Sequence, residues 1–211
     1  MARVLVIGAG RGVGLETVWQ ALEAGHEVGA LARSASAIEI EHRNLDKINA
    51  DATGADALDR AIAGYDVVIT TLGIAPTFSK VTLFSETAAN VIQAMQNNDI
   101  RRLIAVTGLG AGNSKGTGGL LYARFLQPLM LGPIYADKDR EEKLIQESNL
   151  EWTIVRPGFL TRLPKRSDYH VLVEPEEWRA GFITRSDVAD FLVKQITDRG
   201  LIGKTPMLVN D

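Results

Sequence analysis

The chain has 211 residues, 45% of them hydrophobic, which is enough for one well-covered α/β domain and too short for a second full substrate domain. It contains no cysteine, which excludes disulfides, thiolate catalysis and cysteine-ligated metals. A formal net charge of −3 gives no reason to expect nucleic-acid binding, and no signal peptide or apolar segment of about 20 residues is visible. We therefore expect a cytoplasmic protein without membrane insertion, with residues 1–211 forming a single domain.

Strand and helix patterns alternate along most of the sequence. The predicted strands cover residues 3–8, 27–32, 48–51, 66–71, 102–107, 151–156 and 206–210, and the predicted helices cover residues 13–24, 55–63, 82–97, 138–148 and 186–197. This order predicts an α/β fold with a doubly wound parallel sheet that helices cover on both faces. The alternation is lost over residues 159–180, which we expect to form, with residues 199–211, a small C-terminal lobe facing the substrate.

The first predicted strand ends at a cluster of glycines. Residues 4–14 read Val-Leu-Val-Ile-Gly-Ala-Gly-Arg-Gly-Val-Gly, and an amphipathic helical pattern begins immediately afterwards. In a βαβ dinucleotide fold such glycines allow the tight turn, the approach of the backbone to a pyrophosphate, and the close packing of helix on strand. A glycine turn that only joins packed elements is the alternative. The dinucleotide-binding residues predicted here are Gly8, Gly10, Arg11, Gly12, Val13 and Gly14.

The end of the second predicted strand indicates which dinucleotide would bind. An acidic residue about 20 residues beyond the glycine motif binds the ribose 2′-hydroxyl of NAD, whereas an arginine there accommodates the 2′-phosphate of NADP. Arg33, followed by Ser34, holds this place, and the nearby acid Glu27 lies at the start of the strand. We therefore predict binding of NADP(H) in preference to NAD(H), with a solvated loop arginine as the alternative.

Further motifs follow in order along the chain. They are Asp51-Ala-Thr53, Thr71-Leu-Gly73, Val106-Thr-Gly-Leu-Gly110, Ala136-Asp-Lys138, Trp152-Thr-Ile-Val-Arg-Pro-Gly158 and Thr184-Arg-Ser-Asp-Val-Ala189. With the glycine turn, they make nearly the whole chain resemble the atypical short-chain dehydrogenase/reductases with a Rossmann-like, NAD(P)H-binding (NmrA-like) fold. Within that group the chain is most similar to the small proteins related to flavin reductase/biliverdin-IXβ reductase.

The resemblance implies further cofactor contacts along the sheet edge. It places Asp51 and Ala52 beside the adenine, and Leu72 and Gly73 along the adenosine. It also implies a border of the nicotinamide, formed by Pro157, Gly158 and Phe159. The remaining predicted cofactor-binding residues are Thr107, Gly108 and Lys138.

The catalytic residues of that family are only partly present. Typical members use a serine and a Tyr-x-x-x-Lys pair, in which the lysine lowers the pKa of the phenol. No tyrosine here has a lysine four places on; Tyr135 has Lys138 three places on, and on a helix a slip of one residue turns a side chain by about 100°. Gly108 stands where biliverdin-reductase-like relatives carry serine, with Thr107 beside it. The candidate catalytic residues are therefore Lys138, Thr107 and Tyr135, and Lys138 is equally well explained as an exposed lysine.

A chain without the tyrosine base is still suited to hydride transfer if the acceptor delocalises the resulting charge. Flavins, quinones and linear tetrapyrroles do so, which leaves positioning and electrostatics as the tasks of the protein. The expected function is an NADPH-dependent reductase of such a conjugated acceptor. The alternatives are a non-catalytic NADP(H)-binding sensor or assembly factor that docks on a protein partner and, less expected, a nucleotide-sugar epimerase or dehydratase. The aromatic residues proposed for an acceptor pocket are Tyr122, Phe125, Tyr135, Phe159 and Trp178, and for each of them ordinary packing is the favoured alternative.

Two further expectations concern loops and metals. The glycine-rich stretch 108–119 follows a predicted strand, and we expect it to be a mobile loop at the active site. His26, His42 and His170 show no metal-ligand spacing, so no metal site is predicted.

Overall fold

An eight-stranded sheet forms the centre of the protein in the computed structural model, which describes residues 1–114 and 132–210. Its strands are β1 (Arg3–Ile7), β2 (Glu27–Ala32), β3 (Leu45–Asn49), β4 (Val67–Thr70), β5 (Arg102–Val106), β6 (Glu151–Pro157), β8 (His170–Leu172) and β10 (Met207–Val209). The short strands β7 (Phe159–Thr161) and β9 (Phe182–Thr184) pair in parallel as a separate sheet. The helices are α1 (Gly12–Glu23), α2 (Ala55–Ile62), α3 (Leu83–Asn97), α4 (Gly132–Gln146) and α5 (Arg185–Lys194).

The strand order confirms the predicted doubly wound fold. It is β3-β2-β1-β4-β5-β6-β10-β8, and every neighbouring pair is parallel except β10 with β8. The order reverses between β1 and β4. In open α/β sheets, ligands bind at such a reversal, beside the carboxyl ends of the strands.

The core lies in two layers, one on each face of the sheet. Along β1, Val4 and Val6 face the layer that α1 and α5 cover, whereas Leu5 and Ile7 face the layer that α2, α3 and α4 cover. Successive residues of a strand point to opposite faces, so a central strand covered on both sides must be apolar throughout. In the described parts of the chain, none of the helices combines the length and apolar content that crossing a bilayer requires.

Some element boundaries differ from the predicted ones. Helix α4 begins at Gly132, earlier than the predicted residue 138, and Pro133 fits its first turn because no intrahelical amide bond is needed there. Strand β3 covers Leu45–Asn49 and not residues 48–51, because its pairing with β2 already begins at Leu45 opposite Val28.

The residues predicted to form a substrate lobe, 159–180 and 199–211, contribute strands to both sheets. Strand β7 pairs with β9, while β8 lies antiparallel to β10 at one edge of the main sheet. Strand β10, from the 199–211 segment, lies inside the main sheet between β6 and β8. Strands β7 and β9 therefore form the part outside the main sheet: β7 begins directly after β6, and the Phe182 carbonyl oxygen of β9 accepts a hydrogen bond from the Asn210 amide beyond β10.

Candidate functional site

The predicted site residues lie along one edge of the main sheet. The neighbouring strands β2, β1, β4, β5 and β6 are parallel, so their carboxyl ends share this edge. Each predicted group directly follows one of these ends: Arg33 after β2, Gly8 after β1, Leu72 just beyond β4, Thr107 after β5 and Gly158 after β6. The fold thus brings together residues that are up to 150 positions apart in sequence.

The glycine turn between β1 and α1 depends on backbone conformations and approaches that favour glycine. Gly8 has a φ of +90° and Gly12 a φ of +63°, in the region that side chains disfavour. At Gly14, a Cβ would overlap the carbonyl oxygen of Gly8 and lie 2.5 Å from Thr71 Oγ1. Gly14 therefore lets α1 pack closely against the ends of β1 and β4, which is the role predicted for the last glycine of the motif.

The N-terminus of α1 carries no side chain that offsets its positive end. Arg11 precedes the helix in an extended conformation and makes no side-chain capping bond, and the first turn contains no acidic residue. Gly10 and Arg11 are exposed. Amide groups in this arrangement bind anions, so the turn fits the pyrophosphate of a dinucleotide.

The ends of β2 and β3 place an arginine and a carboxylate close to each other. The carboxylate of Asp51 accepts hydrogen bonds from the amide nitrogen (2.9 Å) and hydroxyl (2.8 Å) of Thr53. These bonds, and to a smaller extent the charge of Arg33, hold the pKa of Asp51 below its usual value. Arg33, Ser34 and Asp51 are exposed, whereas Ala52 is buried in the core.

Lys138 of α4 is buried at the end of β5 and is not the exposed residue of the alternative reading. Its Nζ lies 3.5 Å from the carbonyl oxygen of Val106, 4.0 Å from Glu141 Oε2 and 4.2 Å from the centre of the Phe84 ring. Burial lowers the pKa of the Lys138 ammonium, and the nearby carboxylates, chiefly Glu141, oppose that shift. Burial raises the pKa of Glu141 to about 7 against the opposing effect of Lys138.

This pair gives a pH-dependent prediction. The pKa of Glu141 is higher in the folded protein than in the unfolded chain, so the protonated carboxyl favours folding. This contribution to stability is fully present below the ordinary pKa of glutamate and is lost as the pH rises through about 7. Glu141→Gln removes the ionisation, so we expect the variant to gain thermal stability relative to the wild type on going from pH 5 to pH 8. The measurement is the difference in unfolding midpoint at each pH. Glu147→Gln, at an exposed position of the following turn, is the control and should show no such trend; an equal trend in both variants would contradict the assignment.

A buried ion pair joins α4 to β6 behind Thr107. Arg156 is completely buried and Glu142 is 2% exposed; Arg156 Nε lies 3.0 Å from Glu142 Oε1, and Nη2 lies 2.5 Å from Oε2. The Thr107 hydroxyl donates to the same Oε1 at 2.7 Å. The guanidinium also donates to Asn113 and packs 5.0 Å from the Trp178 ring centre. Thr107 is therefore held by a structural network.

Sequence reasoning missed Glu142 as the partner in this pair. A signal for it was present, since an arginine in the apolar run of β6 requires a buried counter-charge. Asp137 was also missed. It is fully buried and accepts hydrogen bonds from the Phe84 amide at 2.8 Å and the Ser85 hydroxyl at 2.5 Å, so it caps α3, whose own N-cap residue makes no side-chain bond.

Tyr135 and Gly108 face each other across the end of β5. The Tyr135 hydroxyl lies 3.7 Å from the position that a Cβ on Gly108 would occupy. The phenol therefore reaches the place where related enzymes carry a serine, although the spacing to Lys138 is one residue short. The structure brings the three predicted catalytic residues, Thr107, Tyr135 and Lys138, to the end of β5. The Lys138 side chain packs between its own helix α4 and the Phe84 ring of α3.

The end of β6 provides an aromatic surface. Phe159 packs against Phe182 with ring centres 5.8 Å apart, and Gly158 is buried against Gly181, where a Cβ would overlap the Gly181 carbonyl oxygen. Trp178 is only 8% exposed, belongs to the core and donates to the Leu172 carbonyl oxygen. Tyr122, Phe125 and the later part of the 108–119 loop lie outside the described residues.

Comparisons with known proteins show which family the chain matches. A family model described as NAD(P)H-binding matches residues 8–199. An uncharacterized chloroplastic protein of Arabidopsis thaliana is 29% identical over 205 residues, covering 92% of this chain and 71% of that protein. A protein of Bacillus subtilis described as an uncharacterized sugar epimerase is 27% identical over 204 residues, covering 93% and 89%. The NAD(P)H azoreductase of Xenophilus azovorans is 23% identical over 206 residues, covering 93% of this chain and 64% of that protein.

Solved structures show the same architecture. The anaerobilin reductase ChuY of Escherichia coli O157:H7 aligns with a TM-score of 0.82 and 25% identity, covering 98% of this chain and 96% of that one. A short-chain dehydrogenase/reductase of Veillonella parvula, solved in complex with NADP, shares the fold with a TM-score of 0.84 at 16% identity, covering 99% and 94%. Since the family model extends from the glycine turn to beyond α5, and the motif resemblance agrees with it, the chain belongs to the NAD(P)H-binding family.

Proposed function

We propose that the protein is an NADPH-dependent reductase that transfers hydride to a conjugated acceptor of flavin, quinone or tetrapyrrole type. The observation that carries the proposal is the arrangement at the end of β5. There Gly108 supplies no hydroxyl, Thr107 is bonded to Glu142, and Lys138 is buried at a spacing from Tyr135 that differs from the usual pair. A site with these residues is suited to an acceptor that stabilises its own negative charge.

The residues along the sheet edge divide the binding of the dinucleotide among them. The glycine turn and the amides of α1 would hold the pyrophosphate, and Arg33 the 2′-phosphate, while Gly108 and the end of β6 would border the nicotinamide. When bound, NADPH supplies the hydride. Lys138, held between the Val106 carbonyl and the Phe84 ring, would act from behind the end of β5 through its positive charge.

The surface beyond β6 supports a planar, largely apolar acceptor. Phe182 is 66% exposed and its ring is tilted by 50° against that of Phe159. Leu160 and Leu163, which follow Phe159 in the sequence, are also exposed. Two of the proteins to which the chain is similar are named reductases, the anaerobilin reductase and the azoreductase, which favours the same reaction class.

The direct test is NADPH oxidation by the purified protein with a panel of FMN, FAD, quinones and biliverdin. We expect acceptor-dependent oxidation and, if hydride transfer limits the rate, a primary isotope effect with one stereospecifically deuterated NADPH. Tyr135→Phe should retain most of the rate, because the acceptor needs little help with proton transfer. A Gly12→Val variant, whose side chain should block the cofactor site, gives the background rate of NADPH oxidation. Tight NADPH binding with no oxidation above this background for any acceptor would overturn the proposal and favour the sensor or assembly factor.

Arg33 is proposed to select NADP(H), because it lies exposed at the end of β2, next to Asp51. Replacing it with alanine should weaken NADPH binding by roughly tenfold or more and leave NADH binding almost unchanged, since a charge-assisted hydrogen bond to phosphate contributes about 1.5–3 kcal/mol. Calorimetric titration with both cofactors measures this. Arg60→Ala, at an exposed position on α2, removes the same charge elsewhere and should affect neither. Equal losses for the two cofactors in Arg33→Ala would contradict the assignment.

A further inference from the structure

We infer that Arg185, the first residue of α5, is a pyrophosphate-binding residue of the dinucleotide site. The inference rests on the nucleotide site at the glycine turn and is independent of the reductase activity. It adds to the site a cation that the glycine motif does not contain and that comes from the far end of the chain.

The Arg185 side chain lies over the start of α1. A Cβ built on Gly12 would be 3.9 Å from Arg185 Nε and 4.0 Å from its Cδ. Gly12 has a left-handed backbone and is the first residue of α1. The Arg185 side chain is thus next to the first residue of α1, and the amides at a helix N-terminus are the groups that face a phosphate.

Neighbouring residues hold Arg185 in this position. On one side, Thr184 caps α5 by accepting from the Asp187 amide at 3.0 Å and donating to its carboxylate at 2.8 Å. On the other side, three hydrogen bonds join Ser186 to α1: its hydroxyl donates to Glu16 at 3.0 Å, and the Gln20 side-chain amide donates to its carbonyl oxygen at 2.9 Å and to its hydroxyl oxygen at 3.2 Å. Because both flanking residues are fixed, the start of α5 keeps its place against α1.

No opposite charge pairs with Arg185 in the described parts of the chain. No hydrogen bond or ion pair of Arg185 occurs among the described residues. Two carboxylates at the contact of α1 and α5 have other donors: Glu16 accepts from Ser186, and Asp187 accepts from Thr184 and from the amides of Arg166 and Ser167. The first turn of α1 has no acidic residue either. A partly buried guanidinium beside an uncompensated helix N-terminus calls for an anionic ligand.

The geometry of the guanidinium group specifies the ligand class. Its planar arrangement of donors matches two oxygens of a phosphate, whereas the α1 amides bind single oxygens. A diphosphate offers oxygens to both at once. Arg185 should therefore contribute to the binding of every nucleotide with a 5′-diphosphate, whether or not a 2′-phosphate is present, which is the opposite of the selectivity proposed for Arg33.

The test compares Arg185→Gln with Arg33→Ala by calorimetric titration of NADPH, NADH and ADP-ribose. We expect Arg185→Gln to weaken all three by a similar factor, about tenfold, whereas Arg33→Ala weakens only NADPH. Arg185→Lys keeps the charge without the paired donors and should give an intermediate loss. Arg162→Gln, at an exposed loop position, controls for the change in net charge and should bind as the wild type does.

Two results would overturn the inference: Arg185→Gln binding all three ligands within twofold of the wild type, or losing affinity for NADPH alone. Thermal unfolding without nucleotide shows whether the variant keeps its fold, and Arg185→Lys decides the question if the glutamine variant does not. Titration needs no turnover, so a protein without reductase activity that shows the expected losses would sink the proposed reaction and leave the role of Arg185 standing.

Discussion

Gly14→Ala is expected to destabilise the protein and to abolish dinucleotide binding. The added Cβ would overlap the carbonyl oxygen of Gly8 and lie 2.5 Å from Thr71 Oγ1, so α1 would have to move away from the sheet. Overpacking of this kind costs about 1–3 kcal/mol, and backbone contacts place this site towards the upper end. The displacement also alters the turn at Gly8 and Gly12. Chemical denaturation would measure the free energy of unfolding, and calorimetric titration the loss of NADPH binding.

Gly73→Ala is the matched control for stability. Gly73 is exposed at the same sheet edge, and a Cβ there would have no atom within 4 Å. We expect a change within about 0.5 kcal/mol in the free energy of unfolding. If the two alanine variants were equally stable, the close approach of α1 to the sheet would not depend on Gly14.

Arg156→Met is expected to be among the most destabilising single substitutions in this chain. It would leave the carboxylate of Glu142 buried and without its main counter-charge; among the described residues, the Thr107 hydroxyl would be its one remaining donor. Breaking a buried pair from one side costs about 3–5 kcal/mol, because an uncompensated charge remains in the interior. The expected result is a large fall in the denaturation midpoint, or an unfolded protein at room temperature.

The double variant Arg156→Met/Glu142→Leu distinguishes the loss of a charge partner from the loss of packing. With both charges removed, most of the stability should return, since apolar replacements of a buried pair are often neutral. The exposed pair Lys143 and Glu147, 3.8 Å apart, provides the comparison: Lys143→Met should cost less than about 1 kcal/mol. A double variant as unstable as the single one would show that the shape of the side chains matters more than their charges.

Local patterns in the sequence are sufficient for much of the fold. The continuous apolar run of β1, the glycines after it and the helical spacing in α1 all lie within 25 residues and depend on few distant contacts. Arg33 was also predictable from local patterns, because α1 and the following strand β2 are both visible in the sequence and Arg33 is the residue directly after β2. The edge that collects these residues then follows from the parallel order of the strands, because carboxyl ends of parallel strands meet.

The parts that were not predicted depend on pairing across the fold. Glu142 and Arg156 occupy different elements, and only the packing of α4 on β6 shows that they meet. The raised pKa of Glu141 likewise arises from burial between helices, which its polar sequence surroundings conceal. Strand β10 was predicted, but its antiparallel partner β8 was not, because β8 has three residues and lies in the segment where the alternation of patterns is lost.

The cap that Asp137 places on α3 has a consequence for where an anion can settle on this molecule. Several helices follow parallel strands and so present their positive ends to the same edge of the sheet. Helix α3 is already occupied by Asp137, α2 has Asp56 in its first turn, and α5 has Asp187. Helix α1 lacks any such acid and receives Arg185 in addition. Among α1, α2, α3 and α5, α1 is therefore the helix whose positive end no acid of its first turn or cap offsets. At the proposed site a diphosphate would settle at this end, and its orientation along the edge would be decided before any base or ribose is recognised.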